Sequence, residues 1–152
     1  MIQRIQTIFL ALVLILSLVF VSGSLYRQSN PEGKEIAIRF SDIDASHSAN
    51  AGETDIIMLA FSVLIPLLSS VSVFLFRKRK IQAAIIGSAI VSDIIVGVVL
   101  AFHIFHRTGN GFSAPVPGIR SIIPLVNLVL LILAVRAVLK DENLVRSYDR
   151  LR

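Results

Sequence analysis

Four long apolar runs dominate the chain, separated by shorter polar segments. They cover residues 5–25, 56–76, 81–105 and about 119–139. A helix needs about 20 mostly apolar residues to cross a hydrocarbon core of roughly 30 Å. Strands of a membrane barrel would instead show alternating polarity over about ten residues, which these continuous runs lack. The pattern predicts an all-α fold: a four-helix transmembrane bundle that forms a single membrane domain over residues 1–152.

The distribution of basic residues predicts the orientation of this bundle. If both termini are cytoplasmic, ten Lys and Arg residues flank the spans on that side, against five on the other. Four of the ten form one block between the second and third runs: Arg77, Lys78, Arg79 and Lys80. Because cytoplasmic segments carry the excess of Lys and Arg, the count favours an N-in, C-in topology.

The net charge of +5 has the same explanation. The basic residues flank apolar spans, where they set topology and meet the anionic headgroups of the cytoplasmic leaflet. No aromatic–basic module accompanies them, so nucleic acid is not an expected partner.

The first run has an alternative interpretation as a cleaved signal peptide. Arg4 precedes it, and the small residues of Val21-Ser22-Gly23 could mark a cleavage site. The apolar stretch is longer than the usual 7–15 residues, however. Retention as a membrane span is therefore the preferred interpretation.

The segments between the spans predict little regular structure. The four basic residues 77–80 leave room only for a tight antiparallel hairpin between spans two and three. In the extracytoplasmic segment 26–55, alternation of Ile36, Ile38 and Phe40 with other residues suggests one short strand. A loop lying on the bilayer is the slightly preferred alternative. The 107–118 link is rich in Gly and Pro, which predicts turns.

The C-terminal segment 140–152 predicts a cytoplasmic amphipathic tail. Leu144, Tyr148 and Leu151 recur at the spacing of one helix face, with basic residues around them. Such a helix suits a membrane surface or a protein partner. The candidate docking residues are Leu144, Arg146, Tyr148, Arg150 and Arg152.

One acidic residue, Asp93, lies inside a span. A charged Asp at the bilayer centre costs about 2.5–3.5 kcal/mol on insertion scales, so it should be buried, protonated or both. Counting from the inner helix ends at 1.5 Å per residue places Ser17, Ser62, Asp93 and Asn127 at roughly the same depth, about 18–21 Å. These four residues form a predicted intramembrane polar belt.

Two interpretations of Asp93 remain open. It could centre a proton- or cation-coupled site, or it could be a neutral carboxyl that hydrogen-bonds Asn127 or a carbonyl and fixes helix packing. The packing interpretation is preferred because no second membrane acid is available to relay protons. On the same face Ala89, Gly97 and Ala101 recur every four residues, which predicts close approach of another helix backbone.

The sequence offers little for catalysis or metal binding. It has no cysteine, no His-Glu-x-x-His, no phosphate-binding glycine loop and no Gly-x-Ser-x-Gly. His103 and His106 share a helix face near the outer end of span three, and His47 or Asp55 could add a ligand. Histidines at a span end more often contact headgroups. No metal, no cofactor and no enzymatic activity are expected.

Both ends of the chain resemble a known family. The opening Met1-Ile2-Gln3-Arg4-Ile5-Gln6-Thr7 and the closing stretch from Arg136 to Arg152, with its Lys140-Asp141-Glu142-Asn143-Leu144 run, are similar to DUF4293, a domain of unknown function. Its members are small four-span inner-membrane proteins of Bacteroidota. The resemblance implies a retained first span and a cytoplasmic tail; it assigns no activity and no site residue.

These observations give two functional hypotheses. The leading one is an accessory or structural subunit that binds a larger inner-membrane protein complex through its cytoplasmic face. The alternative is a small proton- or ion-coupled transporter centred on Asp93.

Overall fold

The computed structural model describes residues 3–29, 35–39, 53–75, 78–106 and 116–149. In these ranges the chain forms four long helices, α1 (Gln3–Val21), α2 (Glu53–Phe74), α3 (Arg79–His106) and α4 (Ile123–Asp149). Three short strands, β1 (Ser24–Ser29), β2 (Glu35–Arg39) and β3 (Val116–Pro117), lie between them, and a 3₁₀ turn over Ile119–Ile122 leads into α4.

The four helices form a closed antiparallel ring. Each of α1, α2 and α3 packs against the next, and α4 packs back against α1. The α2–α3 connection is as tight as the sequence predicts: the Lys78 amide donates to the Leu75 carbonyl, and the Lys78 carbonyl already accepts a bond from Gln82. The start of α1, the end of α2, the start of α3 and the later part of α4 therefore share one end of the bundle, here called the basal end. The strands lie at the opposite end of the bundle, here called the sheet end.

The helix exteriors are apolar on all sides. Large side chains remain exposed on every helix, among them Ile8, Leu67, Val98 and Leu125. A soluble protein rarely exposes so continuous an apolar surface, whereas lipid tails provide a matching solvent. Among the described residues, three helices contain apolar stretches long enough to cross a membrane: Ile57–Phe74, Arg79–Phe102 and Ile119–Glu142.

The first helix is shorter than predicted. Its apolar stretch is Ile5–Val21, and α1 ends at Val21 rather than continuing to Leu25, which belongs to β1. Its 19 residues rise about 28 Å, close to the thickness of the hydrocarbon core. The helix cannot continue because the chain enters the sheet at Ser24.

The fourth helix differs from its predicted span at both ends. Ile119–Ile122 form the 3₁₀ turn, and α4 begins at Ile123. Pro124 fits there because a proline in the first helical turn sacrifices no helical hydrogen bond. At the other end α4 continues through Asp149, so the predicted helical tail is present as far as that residue.

The described residues between the helices at the sheet end form a small sheet, which the sequence pattern predicts only in part. Strand β1 is central, with β2 and β3 antiparallel on either side. Ile38 pairs with Tyr26, so the strand alternative is correct and the slightly preferred loop on the bilayer is not. The 107–118 link also contributes more than turns, since Val116 pairs with Arg27. Phe40 lies outside the described residues.

Candidate functional site

The structure places the four residues of the predicted polar belt inside the bundle, one on each helix. Ser17, Ser62, Asp93 and Asn127 are all at most 2% exposed. Asn127 of α4 donates its amide to the Ser17 hydroxyl of α1 at 3.1 Å. Ser17 in turn donates to the Val13 carbonyl at 2.7 Å. This short chain of bonds joins α1 to α4 at mid-depth.

The other two members of the belt do not extend this chain. The Ser62 hydroxyl donates to the Met58 carbonyl of its own helix at 2.7 Å. Asp93 Oδ1 and Asn127 Oδ1 are buried without a hydrogen-bond partner. The packing interpretation of Asp93 expects a hydrogen bond to Asn127 or to a carbonyl, whereas the Asn127 amide donates to Ser17 and Asp93 Oδ1 has no partner. The belt therefore contains one interhelical bond and two buried oxygens without a partner, one of a carboxyl and one of an amide.

Asp93 lines a groove between α3 and α4. The groove has a volume of about 360 Å³ and is bounded by apolar side chains such as Leu125 and Leu128, with Ser121 toward the sheet end. Gly97 and Ala101 also line it. A methyl group added at Gly97 would meet no atom within 4 Å. The prediction that Gly97 permits close backbone approach is therefore wrong: the small residues open a groove beside Asp93. Ala89, one turn below, is buried.

A second polar cluster, which the sequence pattern did not predict, lies at the basal end. Gln6 of α1 and Asp141 of α4 are 6% and 7% exposed. The Gln6 side-chain amide donates to Asp141 Oδ2 at 2.6 Å. Arg79, at the start of α3, donates to the Asp141 main-chain carbonyl at 2.9 Å. Asp141 of α4 is thus bonded to both α1 and α3. Its partner Gln6 lies 135 positions earlier in the chain.

Further buried polar side chains lie near the Gln6–Asp141 hydrogen bond, here called the basal tie. Gln82 lies one turn into α3, and Ser69 and Ser72 lie in the last two turns of α2. Counting 1.5 Å per residue places an apolar layer that includes Leu10, Ile86 and Val138 between the basal cluster and the middle belt. The bundle interior therefore has two polar levels, and only the deeper one was predicted.

The sequence did contain a signal for the basal cluster. Gln6 and Gln82 each lie within one turn of a helix start, and Asp141 lies just past the predicted end of span four. At such positions polar side chains are expected to reach the headgroups, so their burial was not anticipated. The signal was that Gln6 and Asp141 both fall in the terminal segments that resemble DUF4293.

The predicted docking and topology residues are only partly described. Leu144, Arg146 and Tyr148 lie on α4, but their side chains, and all of Arg150 and Arg152, fall outside the described part of the chain. Lys78, Arg79 and Lys80 lie at the basal turn, as the predicted hairpin requires, and Arg77 is not described. The candidate metal ligands give no further information, since the side chains of Asp55, His103 and His106, and all of His47, lie outside the described part of the chain. No group of three metal-ligating side chains occurs among the described residues.

Comparison with known proteins adds one finding. No curated protein and no solved structure shows significant similarity to this chain. A family model, described as a domain of unknown function, matches residues 2–151, which include α1, both ends of the basal tie and nearly all of the tail. The chain therefore belongs to the DUF4293 family, as its two ends indicated.

Proposed function

We propose that this protein is an accessory subunit of a larger protein complex in the bacterial inner membrane, with both termini in the cytoplasm. It would be structural rather than enzymatic, and it would bind its partner through the tail of α4. The observation that carries the proposal is the buried hydrogen bond between Gln6 and Asp141, which anchors α4 at the point where its tail begins.

The position of this anchor gives the tail a defined direction. Beyond Asp141, α4 continues for eight residues to Asp149, a further rise of about 12 Å. Arg79 holds the Asp141 carbonyl from the α3 side. A helix held on two sides at its base presents its distal turns in a preferred orientation, which lowers the entropy cost of binding a partner.

The charge of the basal end supports its cytoplasmic location. The described cations at this end include Lys78, Arg79, Lys80, Arg136 and Lys140. Lys and Arg near span ends are retained on the cytoplasmic side, where they also meet anionic headgroups. Family membership that includes α1 supports retention of the first span rather than cleavage.

Orientation is tested with single cysteines, because the chain contains none of its own. Introduced at Lys140 and at Arg27, they are labelled with a membrane-impermeant maleimide in intact and in opened cells. The proposal requires labelling of Lys140→Cys only after opening and of Arg27→Cys in intact cells. The reverse pattern would contradict it.

Partner binding is tested by replacing the tail. One variant ends at Glu142, so that it keeps Asp141 and the tie to Gln6. A matched control carries residues 143–152 in scrambled order, which preserves length and charge. In a pull-down from mild detergent, the proposal requires that the full chain co-purify a defined membrane protein and that both variants lose it. Retention of that protein by the truncated chain would overturn the proposal.

A second candidate function, a small proton- or ion-coupled transporter, is favoured by one observation. Asp93 borders the α3–α4 groove and leaves a buried carboxyl oxygen unpaired. A carboxyl in this position could exchange a proton or a cation with a ligand in the groove. The test is a pH-dependent flux in reconstituted vesicles that Asp93→Asn abolishes and Ser62→Ala preserves; a flux that persists in Asp93→Asn would eliminate this candidate.

A further inference from the structure

We infer that a pocket at the sheet end of the bundle binds the phosphate of an anionic phospholipid. The pocket has a volume of about 600 Å³ and lies where α1, β1, β3 and the 3₁₀ turn meet. Its described lining includes two arginines, Arg27 and Arg120, and no carboxylate. It lies at the opposite end of the bundle from the proposed docking tail and does not depend on that proposal.

The fold brings both arginines to the same pocket. Arg27 lies in the central strand and pairs with Val116 of β3. From Val116 the chain passes through Gly118 into the 3₁₀ turn that carries Arg120. The strand pairing that sets Arg27 therefore also brings the start of the 3₁₀ turn to the same pocket.

Gly23 provides the space that Arg120 occupies. A Cβ at position 23 would overlap Nη1 and Cζ of the Arg120 guanidinium. The guanidinium thus packs directly over the Gly23 backbone, and any larger residue at position 23 would displace it. The short turn between α1 and β1 is shaped around this side chain.

The charge of the pocket specifies an anionic ligand. Two guanidinium groups that share one pocket repel each other unless an anion neutralises them. Arginine presents a planar set of donors that matches a phosphate better than a lysine ammonium does. The hydroxyl-bearing residues Ser22 and Ser24 also line the pocket. Because no described carboxylate offsets the arginines, a net-negative headgroup is favoured over a zwitterionic one.

The surroundings of the pocket point to a lipid rather than to a soluble phosphate. Ile119 and Val116 line it and are 89% and 64% exposed. Ile122, one turn further toward the bundle, is also exposed. Apolar side chains next to two arginines suit a ligand with a charged headgroup and acyl chains.

The test measures lipid binding to the purified full-length protein in detergent. Phosphatidylglycerol, phosphatidylcholine and inorganic phosphate are titrated separately, with native mass spectrometry for the lipids and thermal unfolding for all three. The expected result is saturable binding of phosphatidylglycerol that is clearly tighter than that of phosphatidylcholine. Equal stabilisation by inorganic phosphate at the same concentration would show a free-anion site and overturn the lipid assignment.

Four variants locate the site. Arg27→Gln and Arg120→Gln should each weaken phosphatidylglycerol binding roughly tenfold, because each removes a charge-assisted hydrogen bond. Gly23→Ala should weaken it without changing the charge. Arg136→Gln removes an exposed cation at the basal end, outside the pocket, and should weaken binding clearly less than Arg27→Gln does. Equal weakening by Arg136→Gln would indicate a general charge effect and overturn the proposal. If Arg120→Gln fails to fold, the exposed Arg27→Gln decides.

Discussion

The two polar levels inside the bundle differ in how far their side chains bond from one helix to another. At the basal end, Gln6 bonds to Asp141 across two helices and Arg79 joins a third. In the middle belt only Asn127 and Ser17 bond across helices, and Asp93 leaves an oxygen unpaired. Gln6, Asp141 and Arg79 therefore hold the helices together, whereas most of the middle belt does not. Each level also contains buried oxygens without a partner: those of Ser69 and Ser72 at the basal end, and those of Asp93 and Asn127 in the belt. Polar residues at the same depth in the membrane therefore do not all bond to one another.

The reason lies in the chemistry of the side chains. A serine in a helix can donate to the carbonyl four residues earlier, as Ser17 and Ser62 both do. It then has no need of a neighbouring helix. Glutamine cannot satisfy its amide in this way as readily, and a carboxylate needs donors from elsewhere. The long polar side chains at the basal end consequently form the bonds between helices.

The largest expected effect is at Asp141. Asp141→Leu should reduce the free energy of unfolding in detergent by about 2 kcal/mol, because it leaves the buried Gln6 amide without an acceptor. The Arg79 bond to the main-chain carbonyl should survive the substitution. Unfolding is followed by circular dichroism during titration with a denaturing detergent.

A double variant sharpens this prediction. Gln6→Leu combined with Asp141→Leu replaces both partners by apolar groups, which is expected to recover most of the lost stability. The cycle of single and double variants measures the coupling between the two residues. If the losses simply add, the two side chains do not hold the chain ends together.

The second-largest expected effect is at Asp93, and it is a gain in stability rather than a loss. Asp93→Leu should raise the stability of the bundle by about 1 kcal/mol, because it removes a buried carboxyl oxygen that has no partner. The groove beside Asp93 gives the larger side chain room. The same unfolding titration applies, and a loss of stability would show that Asp93 makes a bond that holds the helices together.

A smaller loss is expected at Asn127. Asn127→Leu removes the hydrogen bond to Ser17, which joins α1 and α4 at mid-depth. Bonds of this kind between membrane helices average about 0.6 kcal/mol. A loss as large as that of Asp141→Leu would remove the distinction between the two levels.

The smallest effect is expected at Ser62. Its hydroxyl bonds within its own helix, to the Met58 carbonyl. Ser62→Ala should therefore change the unfolding free energy by less than about 0.5 kcal/mol in the same titration. A larger loss would mean that Ser62 bonds to another helix.

The sequence predicted the helices better than their connections. The apolar runs located all four helices because hydrocarbon imposes a length and a composition on each span. The same runs did not show where α1 ends, because an apolar residue such as Leu25 is compatible with a membrane helix and with a strand. Strand β3 was missed because its two residues, Val116 and Pro117, carry no periodic pattern.

The candidate site was predictable to a similar degree. Depth counting identified four residues that are indeed buried, but it could not reveal which of them bond to one another. The Gln6–Asp141 contact joins residues 135 positions apart, so no local pattern reports it. Gly97 was misjudged because a small residue is equally suited to a close helix contact and to the wall of a groove.

The central claim is that the two ends of the chain meet at the base of a four-helix bundle. It is tested most directly by crosslinking, with cysteines at positions 6 and 141 and a protease site inserted in the 107–115 link. After oxidation and cleavage, the two fragments should stay joined until a reductant is added. A control pair at positions 6 and 27, both in the N-terminal fragment, should leave the fragments separate. Separation of the fragments in the Gln6→Cys, Asp141→Cys protein would contradict the account.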